Sequence, residues 1–411
     1  MKPLPWMAAL LLALVAALPA LTDGKKDDDG FVPMFDGKTL KGWVNVNCAP
    51  DTFFVKDNEI ITTGKPTGYL RTDKQYENFI AEFDWKHIPP KPGEVGNSGF
   101  FVWADPLSAV GTGYTRGIEV QVLVNLTYKN KKGDITATSQ GDLFSIHGAH
   151  CTPDRPHPDG WERCLPSEDH CKGENEWNHY RVEANDGRIT LTVNGHEVSG
   201  VSKCNPRKGY LALESEGSEC HFKNLKIKEL PSTNPKKEEI ADEATGFKTL
   251  YTGLDLSGWK ADDEVKKHWK PNDTVLHYDG KGEAKDNALR TEKKFDDAEF
   301  IVDFRFPEKG AAACTFFVAG GKDPVTFRLK PDGEYVANSR WGEVSGRLKE
   351  LKPAGKWNRL RVKPEANIAE VKVNDEFNVG LRLPQSLTKG EFGIRPEGEM
   401  DFANLFVREL K

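Results

Sequence analysis

The chain has no surplus of positive charge and, past its first residues, no long apolar run. Asp and Glu number 63 against 57 Lys and Arg, which gives a formal net charge of −6. Binding to nucleic acid needs a basic surface, so we expect no nucleic-acid partner. A transmembrane helix needs about 20 consecutive apolar residues. Because no such run follows the N-terminus, we expect no stable membrane span in the mature chain.

The first residues have the pattern of a signal peptide. Lys2 supplies a positive charge, residues 10–18 form an unbroken apolar run, and Ala17 and Ala20 are small residues suited to cleavage. The run is short for a transmembrane helix, and no Cys follows it to carry a lipid. We predict a signal peptide at residues 1–20 and an exported protein, periplasmic or extracellular. The alternative is an uncleaved anchor.

Cysteine is scarce in the second half of the chain, where Cys314 stands alone and is expected to be a buried free thiol. An even set of cysteines in an exported protein predicts disulfides, although the sequence does not select their pairing. A Cys164–Cys171 bridge would turn the non-periodic insert at residues 129–174 into an ordered lid. The six cysteines of the first half are Cys48, Cys151, Cys164, Cys171, Cys204 and Cys220.

Long amphipathic helices are also missing. Short alternating segments follow one another instead, separated by turn residues such as Asn194-Gly195, a strong hairpin signal. This pattern predicts an all-β protein of sandwich or jelly-roll type. A chain of 411 residues is too long for one ordinary core, so we expect two domains.

The chain repeats its own motifs. Residues 35–43 return as 251–259, residues 177–182 as 357–362, and residues 222–225 as 402–405. The period is far too long for a solenoid and predicts a duplicated domain. We place the two copies at residues 31–230 and 247–411, joined by a Pro- and charge-rich linker at residues 231–246.

One strand of the first copy combines an apolar face with a polar one. Residues 118–124 alternate, so that Ile118, Val120 and Val122 share one face while Glu119 and Gln121 share the other. The next strand, residues 99–103, is entered through a polar turn at residues 97–99. A sheet with a polar front suits a sugar, because carboxylates and amides pair with hydroxyls and indoles stack on pyranose rings. The second copy has Thr, Phe and Arg near the positions of residues 119–121, which favours a structural or binding role.

We predict Glu119 as the catalytic residue; the alternative is a salt-bridged surface residue. Glu82 and Asp84 share a face of another strand and either face solvent or line the same groove. Trp103 and Trp161 are candidate stacking platforms, with a core position as the alternative for Trp103. The predicted substrate-binding residues are Arg71, Glu82, Asn97, Trp103 and Gln121.

A histidine motif in the insert has three interpretations. His147-Gly-Ala-His150-Cys151 could hold a metal, supply an acid–base histidine, or combine a disulfide with surface histidines. A zinc site needs about four ligands, and this segment alone does not provide them. We therefore favour the disulfide with surface histidines.

The Glu119-x-Gln121 strand resembles the Glu-x-Asp-x-x-Glu strand of retaining glucanases, but it supplies only one carboxylate. Ordinary retaining hydrolysis needs two carboxyl groups about 5–5.5 Å apart. This comparison disfavours a conventional glycosidase unless Glu82 or Asp84 provides the second group.

Six motifs in order make the first copy resemble the 3-keto-disaccharide hydrolase domain family, over about residues 31–230. The second copy matches only the structural parts. In the first copy, Leu213-Glu214 stands where the family often has Leu-Gln. The motifs are Phe35-Asp-Gly with Leu40-x-Gly-Trp43, Asn97-Ser-Gly99, Glu119-Val-Gln121, Glu176-Trp-Asn178, Val193-Asn-Gly195, and Leu213-Glu-Ser-Glu-Gly217 with Phe222-x-Asn-Leu225.

The resemblance implies a concanavalin A-like jelly roll that acts on glycosides oxidised at C3. A C3 ketone acidifies the C2 hydrogen, so one base can remove it and the enolate can expel the C1 substituent. In this interpretation Glu119 is the base or a metal-binding carboxylate, while Gln121, Asn97 and Arg71 place hydroxyls. A divalent metal is compatible with the site, although the sequence assigns none. The expected partner is an oligosaccharide or glycoside, and the alternative function is a non-catalytic carbohydrate-binding or structural sandwich.

Overall fold

The computed structural model describes residues 29–137, 140–282, 286–310, 312–319, 325–339, 341–365, 368–382 and 389–410. They form two all-β sandwiches, which we call the N-terminal sandwich (29–230) and the C-terminal sandwich (247–410). The prediction of an all-β fold with two sandwiches in tandem is confirmed. The predicted signal peptide lies outside the described residues. Within those residues, no helix is long and apolar enough to cross a membrane.

The described residues of the N-terminal sandwich form 18 strands, most of them short. They are β1 (Val32–Pro33), β2 (Trp43–Val46), β3 (Phe53–Lys56), β4 (Glu59–Thr62), β5 (Gly68–Thr72), β6 (Phe79–Ile88), β7 (Gly96–Ala104), β8 (Gly117–Val124), β9 (Tyr128–Lys129), β10 (Ile135–Ala137), β11 (Gln140–Ile146), β12 (His150–Pro153), β13 (Arg163–Cys164), β14 (Asn178–Asn185), β15 (Arg188–Val193), β16 (His196–Asn205), β17 (Tyr210–Ser215) and β18 (Glu219–Glu229).

Two antiparallel sheets stack face to face in this sandwich. The front sheet has the order β13-β11-β8-β7-β17-β5-β2, and the back sheet has the order β12-β16-β15-β14-β6-β18-β4-β3, with β1 beside β18. Period-two alternation explains the core, because Val120 and Val122 of β8 point toward the back sheet while Glu119 and Gln121 point away from it. Phe83, Phe100 and Tyr180 pack aromatic ring against aromatic ring between the sheets.

The insert at residues 129–174 is not a lid. It supplies β11 and β13 to the edge of the front sheet and β12 to the edge of the back sheet. All seven cysteines are free thiols, so the predicted disulfides, including Cys164–Cys171, are not formed. Cys164 is fully buried in the core, and Cys171 lies beside the Tyr180 side chain. The order of the insert therefore comes from strand pairing and core contacts.

The segment between the sandwiches lies against the N-terminal one. It contains a single 3₁₀ turn, η1 (Lys237–Glu239), and its Ile240 forms an isolated bridge with Lys208. The Gln75 amide donates to the carbonyl oxygens of Ala241 and Asp242, both at 3.1 Å. The predicted linker is thus fixed along one sandwich by hydrogen bonds.

The C-terminal sandwich repeats the two-sheet plan. Its sheets have the orders β21-β22-β33-β24-β29-β30-β31, with β19 beside β33, and β20-β23-β32-β25-β26-β27-β28. Its elements are β19 (Lys248–Thr249), β20 (Trp259–Lys260), α1 (Asp263–Lys266), β21 (Trp269–Asn272), β22 (Val275–Tyr278), β23 (Leu289–Thr291), β24 (Ala298–Arg305), β25 (Cys314–Ala319), β26 (Val325–Leu329), β27 (Glu334–Ser339), β28 (Gly342–Arg347), β29 (Asn358–Glu365), β30 (Ile368–Val373), β31 (Glu376–Arg382), β32 (Gly393–Pro396) and β33 (Met400–Glu409).

Candidate active site

The centre of the front sheet carries two acidic side chains on its outward face. Strand β8 contributes Glu119, and β17 contributes Glu214. Strand β7 lies between them, with Phe101 paired to Glu119 and Phe100 paired to Leu213, the residue before Glu214. The two carboxyl groups therefore approach each other across one intervening strand.

Gly99 on β7 makes room for this approach. A Cβ atom at position 99 would lie 2.9 Å from Oε1 of Glu119 and 2.9 Å from Oε2 of Glu214. The two oxygen atoms are therefore no farther apart than twice that distance. A larger residue at position 99 would separate the carboxyl groups, so this position needs glycine. The predicted polar turn at residues 97–99 is wrong, because these residues belong to β7 and pair with β8.

Both carboxyl groups are nearly covered by neighbouring residues. Glu119 is 6% exposed and Glu214 1% exposed. Within the part of the chain that the structure describes, neither oxygen of Glu214 accepts a hydrogen bond from a donor group, and its polar neighbours include the carboxyl groups of Glu119 and Glu216. An unpartnered buried carboxylate is costly when ionised, so the environment of Glu214 favours its protonated form.

Burial and the negative charge of neighbouring carboxyl groups raise the pKa of both groups. For Glu119, burial raises the pKa well above its usual value, and the charge of Glu216 adds to the effect. For Glu214, burial raises the pKa well above its usual value, followed by the charge of Glu119. Because burial and neighbouring negative charge oppose ionisation of both groups, the pair holds one proton more readily than two ordinary glutamates do. With one proton bound, one carboxylate can accept a proton and one carboxylic acid can donate.

Two predicted binding residues border the carboxyl pair. The Gln121 amide donates to Oδ1 of Asn97 at 2.9 Å and to the Ser98 carbonyl at 3.2 Å. The Asn97 amide in turn donates to Oε2 of Glu216 at 2.5 Å. The structure thus brings Glu119, Asn97 and Gln121 together, as the sequence predicts, and adds Glu214 and Glu216.

A loop at residues 105–116 supplies a further side chain. The Tyr114 hydroxyl donates to Oε1 of Glu216 at 2.7 Å, and its ring stacks on His147 with ring centres 5.8 Å apart. Burial and the charge of Glu216 raise the pKa of Tyr114, so its hydroxyl keeps its proton. Glu216 is therefore held by Tyr114 on one oxygen and by Asn97 on the other.

A cation stands on the other side of Gln121. Nη2 of Arg163 donates to Oε1 of Gln121 at 3.2 Å, and Nε donates to Oδ2 of the buried Asp142 at 2.7 Å. The guanidinium lies 3.9 Å from the ring centre of Phe144. Its positive charge partly offsets the rise in the pKa of Glu119. Strands β11 and β13 of the insert thus complete one side of the site.

Other predicted site residues lie elsewhere. Arg71 is on the front sheet, but its guanidinium is buried and donates to the carbonyl oxygens of Pro106 and Thr72 at 3.0 and 2.8 Å. Trp103 is fully buried in the core, and its indole N–H donates to the Glu77 carbonyl at 2.7 Å. Both residues support the fold around the site, and the structure does not bring Trp103 to the carboxyl pair.

Glu82 lies on the opposite side of the sandwich. It belongs to β6 of the back sheet and pairs with Arg181 and Lys226, both at 3.1 Å. Asp84, two residues along the same face, pairs with His179. The structure therefore does not bring Glu82 or Asp84 together with Glu119, and the second carboxyl group is Glu214 instead.

The histidines of the insert do not converge on a metal. His147 stacks on Tyr114, whereas Nδ1 of His150 faces Oε1 of Glu162 at 3.2 Å. In the described ranges, no group of three or more His, Cys, Asp or Glu side chains is arranged to hold a metal ion. Trp161 is half exposed and stacks on His157, with ring centres 4.7 Å apart.

Comparisons with known proteins place the chain in a family. Residues 30–228 and 246–408 match the family model described as the 3-keto-alpha-glucoside-1,2-lyase-like domain. Among curated proteins, none matches the chain. Solved structures that match include a proposed glycosyl hydrolase from Parabacteroides distasonis, at 23% identity and a TM-score of 0.38 over 51% of this chain and 100% of that one.

Two further structures match smaller parts of the chain. A Bacillus licheniformis β-glucanase matches at 11% identity and a TM-score of 0.31, covering 38% of this chain and 94% of its own. A Bacillus subtilis carbohydrate-binding module matches at 14% identity and a TM-score of 0.29, covering 37% of this chain and 96% of its own. Because the family model covers most of both sandwiches, the chain belongs to the 3-keto-alpha-glucoside-1,2-lyase-like domain family.

Proposed function

We propose that the N-terminal sandwich cleaves glycosides that carry a ketone at C3 of the sugar ring. The observation that carries this proposal is the buried Glu119–Glu214 pair, whose two carboxyl groups meet over Gly99. The family description, which names a 3-keto-α-glucoside 1,2-lyase, supports cleavage of the glycosidic bond in such sugars. The proposal includes export, for which the signal-peptide pattern of residues 1–20 is the support.

The reaction begins with a proton transfer to Glu119. The C3 ketone makes the C2 hydrogen acidic, and the Glu119 carboxylate removes it to leave an enolate across C2 and C3. When the C3 carbonyl re-forms, the electron pair makes a C1=C2 double bond and the C1–O bond breaks. The protonated Glu214 gives its proton to the departing oxygen. The products are an unsaturated keto sugar and an alcohol, and addition of water to the double bond completes a net hydrolysis.

The polar residues around the pair orient the sugar in this proposal. Asn97 and Gln121 offer amide groups beside Glu119, and Arg163 offers a cation next to Gln121. Hydrogen-bond donors near the C3 oxygen stabilise the enolate. The sequence suggests that Arg71 places a hydroxyl of the sugar. Its buried guanidinium instead donates hydrogen bonds to carbonyl groups of β5 and the 105–116 loop.

The presence of Glu214 as a second carboxyl group favours a second function, which is conventional hydrolysis of unoxidised glycosides. With two carboxyl groups at most twice 2.9 Å apart at their facing oxygens, the site approaches the spacing of about 5–5.5 Å that retaining glycosidases use. In that case Glu119 and Glu214 would cleave unoxidised glycosides as nucleophile and acid. The two functions differ in their substrate, because only elimination requires the ketone.

The test is a substrate panel applied to the mature protein. Disaccharides oxidised at C3 are compared with the same disaccharides unoxidised, with and without a chelator, and released sugars are quantified. We expect cleavage of the keto-sugars only, and a loss of about 10²–10⁴-fold in turnover for Glu119→Gln. Glu183→Gln, on the back sheet, is the matched control. Cleavage of unoxidised sugars favours the two-carboxylate hydrolase, and binding without turnover leaves a binding module.

A further inference from the structure

The outward face of the front sheet changes from polar to apolar across its width. Strand pairing sets Glu214 beside Tyr69, and Tyr69 beside Val46 at the sheet edge. In the neighbouring row, Glu119 lies beside Phe101, and Phe101 beside Ala212. The carboxyl pair therefore stands at a boundary, with an apolar surface beginning at the adjacent side chains.

This apolar surface is covered by the C-terminal sandwich. Phe247, Ile301 and Phe406 of the C-terminal sandwich form one buried cluster with it, and both Tyr69 and Phe101 are fully buried. Ile301 and Phe406 are cross-strand partners on β24 and β33, so the contact uses the outer face of a sheet. The residues of the N-terminal sandwich in this cluster are Val46, Tyr69, Phe101, Ala104, Leu107, Tyr210 and Ala212.

Polar contacts fix the same interface to the 105–116 loop. Oδ2 of Asp303, fully buried on β24, accepts a hydrogen bond from the Gly111 amide at 2.8 Å. Arg359 donates to the Ser108 carbonyl at 2.8 Å, and the Asn404 amide donates to the Ala109 carbonyl at 2.9 Å. Three side chains of one sandwich therefore hold three backbone groups of residues 108–111 in the loop of the other.

The held loop is part of the site. It carries Tyr114, which donates to Glu216 and also packs against the apolar cluster between the sandwiches. Gly111 of the loop lies so close to Trp357 that a Cβ atom there would come within 2.1 Å of the indole ring. The position of Tyr114 thus depends on the C-terminal sandwich.

We infer that a sugar binds in a groove over the outward face of the front sheet and that the C-terminal sandwich is a fixed wall of this groove. The groove is then blind on the side of β5 and β2. A sugar enters from the side of β11 and β13, where Phe144 and Arg163 are partly exposed. The site then accepts short glycosides or chain ends, and it excludes internal segments of a polysaccharide. The identity of the bond that is cleaved depends on the proposed function. The wall depends only on the contacts between the two sandwiches.

The wall is tested without any ligand. Asp303→Asn keeps the shape of the side chain but removes the charge that holds Arg359 and Gly111. We expect faster amide hydrogen exchange across residues 105–116 by about tenfold, because a buried charged contact is lost. The matched control is Asp84→Asn, whose residue occupies the corresponding place on β6 and is partly exposed. Unchanged exchange in the loop of the Asp303 variant, or an equal change in the Asp84 variant, overturns the wall.

Size selection is tested with linear and cyclic glucans of the same six glucose units, each oxidised at C3. The linear form has an end that fits a blind groove, and the cyclic form has none. We expect the linear keto-sugar to be cleaved at least about 100-fold more efficiently in kcat/KM. Equal cleavage overturns the size limit and leaves the proposed function standing. If neither form nor the keto-disaccharide is cleaved, the proposed function fails, and the exchange experiment still decides the wall.

Discussion

Strand β6 of the N-terminal sandwich and strand β24 of the C-terminal sandwich occupy equivalent places but have different surroundings. Asp84 on β6 pairs with His179 and lies beside β18, and Asp303 on β24 pairs with Arg359 and lies beside β33. Each aspartate binds a basic residue and an asparagine: Oδ2 accepts from Asn224 at 2.6 Å in the first case and from Asn404 at 2.6 Å in the second.

The two strands differ in what covers them. The outward side chains of β6 alternate with the core and stay half-buried, whereas almost every residue of β24 is buried. At the position before the aspartate on the same face, β6 has Glu82 bound to Arg181 and Lys226, and β24 has Ile301 against the N-terminal sandwich. The motif of an aspartate with a basic residue and an asparagine therefore lies at the surface of one sandwich and in the interface of the other. The apolar Ile301 beside Asp303 accounts for the difference.

The largest expected effect concerns the carboxylate that only the N-terminal sandwich has. Glu119→Gln removes a basic carboxylate and keeps its shape, so turnover on a 3-keto-glycoside should fall about 10²–10⁴-fold. On the corresponding strand of the C-terminal sandwich, Arg328→Gln removes a charge paired with the half-exposed Glu397 and should leave turnover within about twofold. Steady-state kinetics of both variants make the comparison, and an equal loss in both would place the activity elsewhere.

An exchange of residues between the two strands tests the interface. Ile301→Glu places a carboxylate without a partner in a buried apolar cluster, which should destabilise the full chain by about 3 kcal/mol or more. The reverse change, Glu82→Ile, removes a half-buried charge from the back sheet and should shift stability by about 1 kcal/mol or less. Urea denaturation measures both. Similar losses for the two variants would mean that β24 is no more buried than β6.

Glu214→Gln should stabilise the protein at neutral pH while lowering its activity. Burial raises the pKa of Glu214, so the folded state holds a proton that the unfolded chain releases above about pH 4.3. The stability of the wild type therefore decreases as the pH rises from that value through the raised pKa. The variant should gain about 1–3 kcal/mol at pH 7–8 and nothing at pH 4. Denaturation at both pH values decides, and a pH-independent difference would contradict a buried ionisable Glu214.

The smallest expected effect is a difference between the two aspartate motifs in how their contribution to stability depends on pH. The hydrogen bond to Asp84 raises the pKa of His179, so this contact stabilises the fold fully below about pH 6.5 and is lost as the pH rises through the raised pKa. Arg359 in the C-terminal motif stays charged throughout. Because His179 is half exposed, the pH-dependent contribution should stay below about 1 kcal/mol. His179→Arg should abolish it in a pH series of urea titrations, and an unchanged pH dependence would assign it to another group.

Much of the fold was predictable from the sequence because period-two alternation and turn residues report strands directly. The alternation of residues 118–124 places Glu119 and Gln121 on the outward face, as the structure shows. Extending the same alternation along residues 210–215 would have placed Glu214 on that face too. The prediction that Glu82 or Asp84 supplies the second carboxyl group is therefore wrong, because both lie on the back sheet.

The pairing between strands that are distant in the sequence could not be predicted from the sequence. Glu82 and Glu119 both lie outward on well-formed strands, and only the sheet order shows that they face opposite sides of the sandwich. The prediction of a lid for the insert is wrong for a related reason, since β11 pairs with β8 and the short β13 pairs with β11. The wall contributed by the C-terminal sandwich depends on contacts between residues more than 190 positions apart, such as Gly111 and Asp303.

The most direct test of the account uses a 3-keto-disaccharide labelled with deuterium at C2 of the oxidised ring. If Glu119 removes the C2 proton, the wild type should cleave the labelled sugar more slowly than the unlabelled sugar. The first unsaturated product should then carry no deuterium at C2. The Glu119→Gln variant should leave the label in place and the bond intact. Cleavage that retains the C2 deuterium would contradict elimination and assign the carboxyl pair to direct hydrolysis.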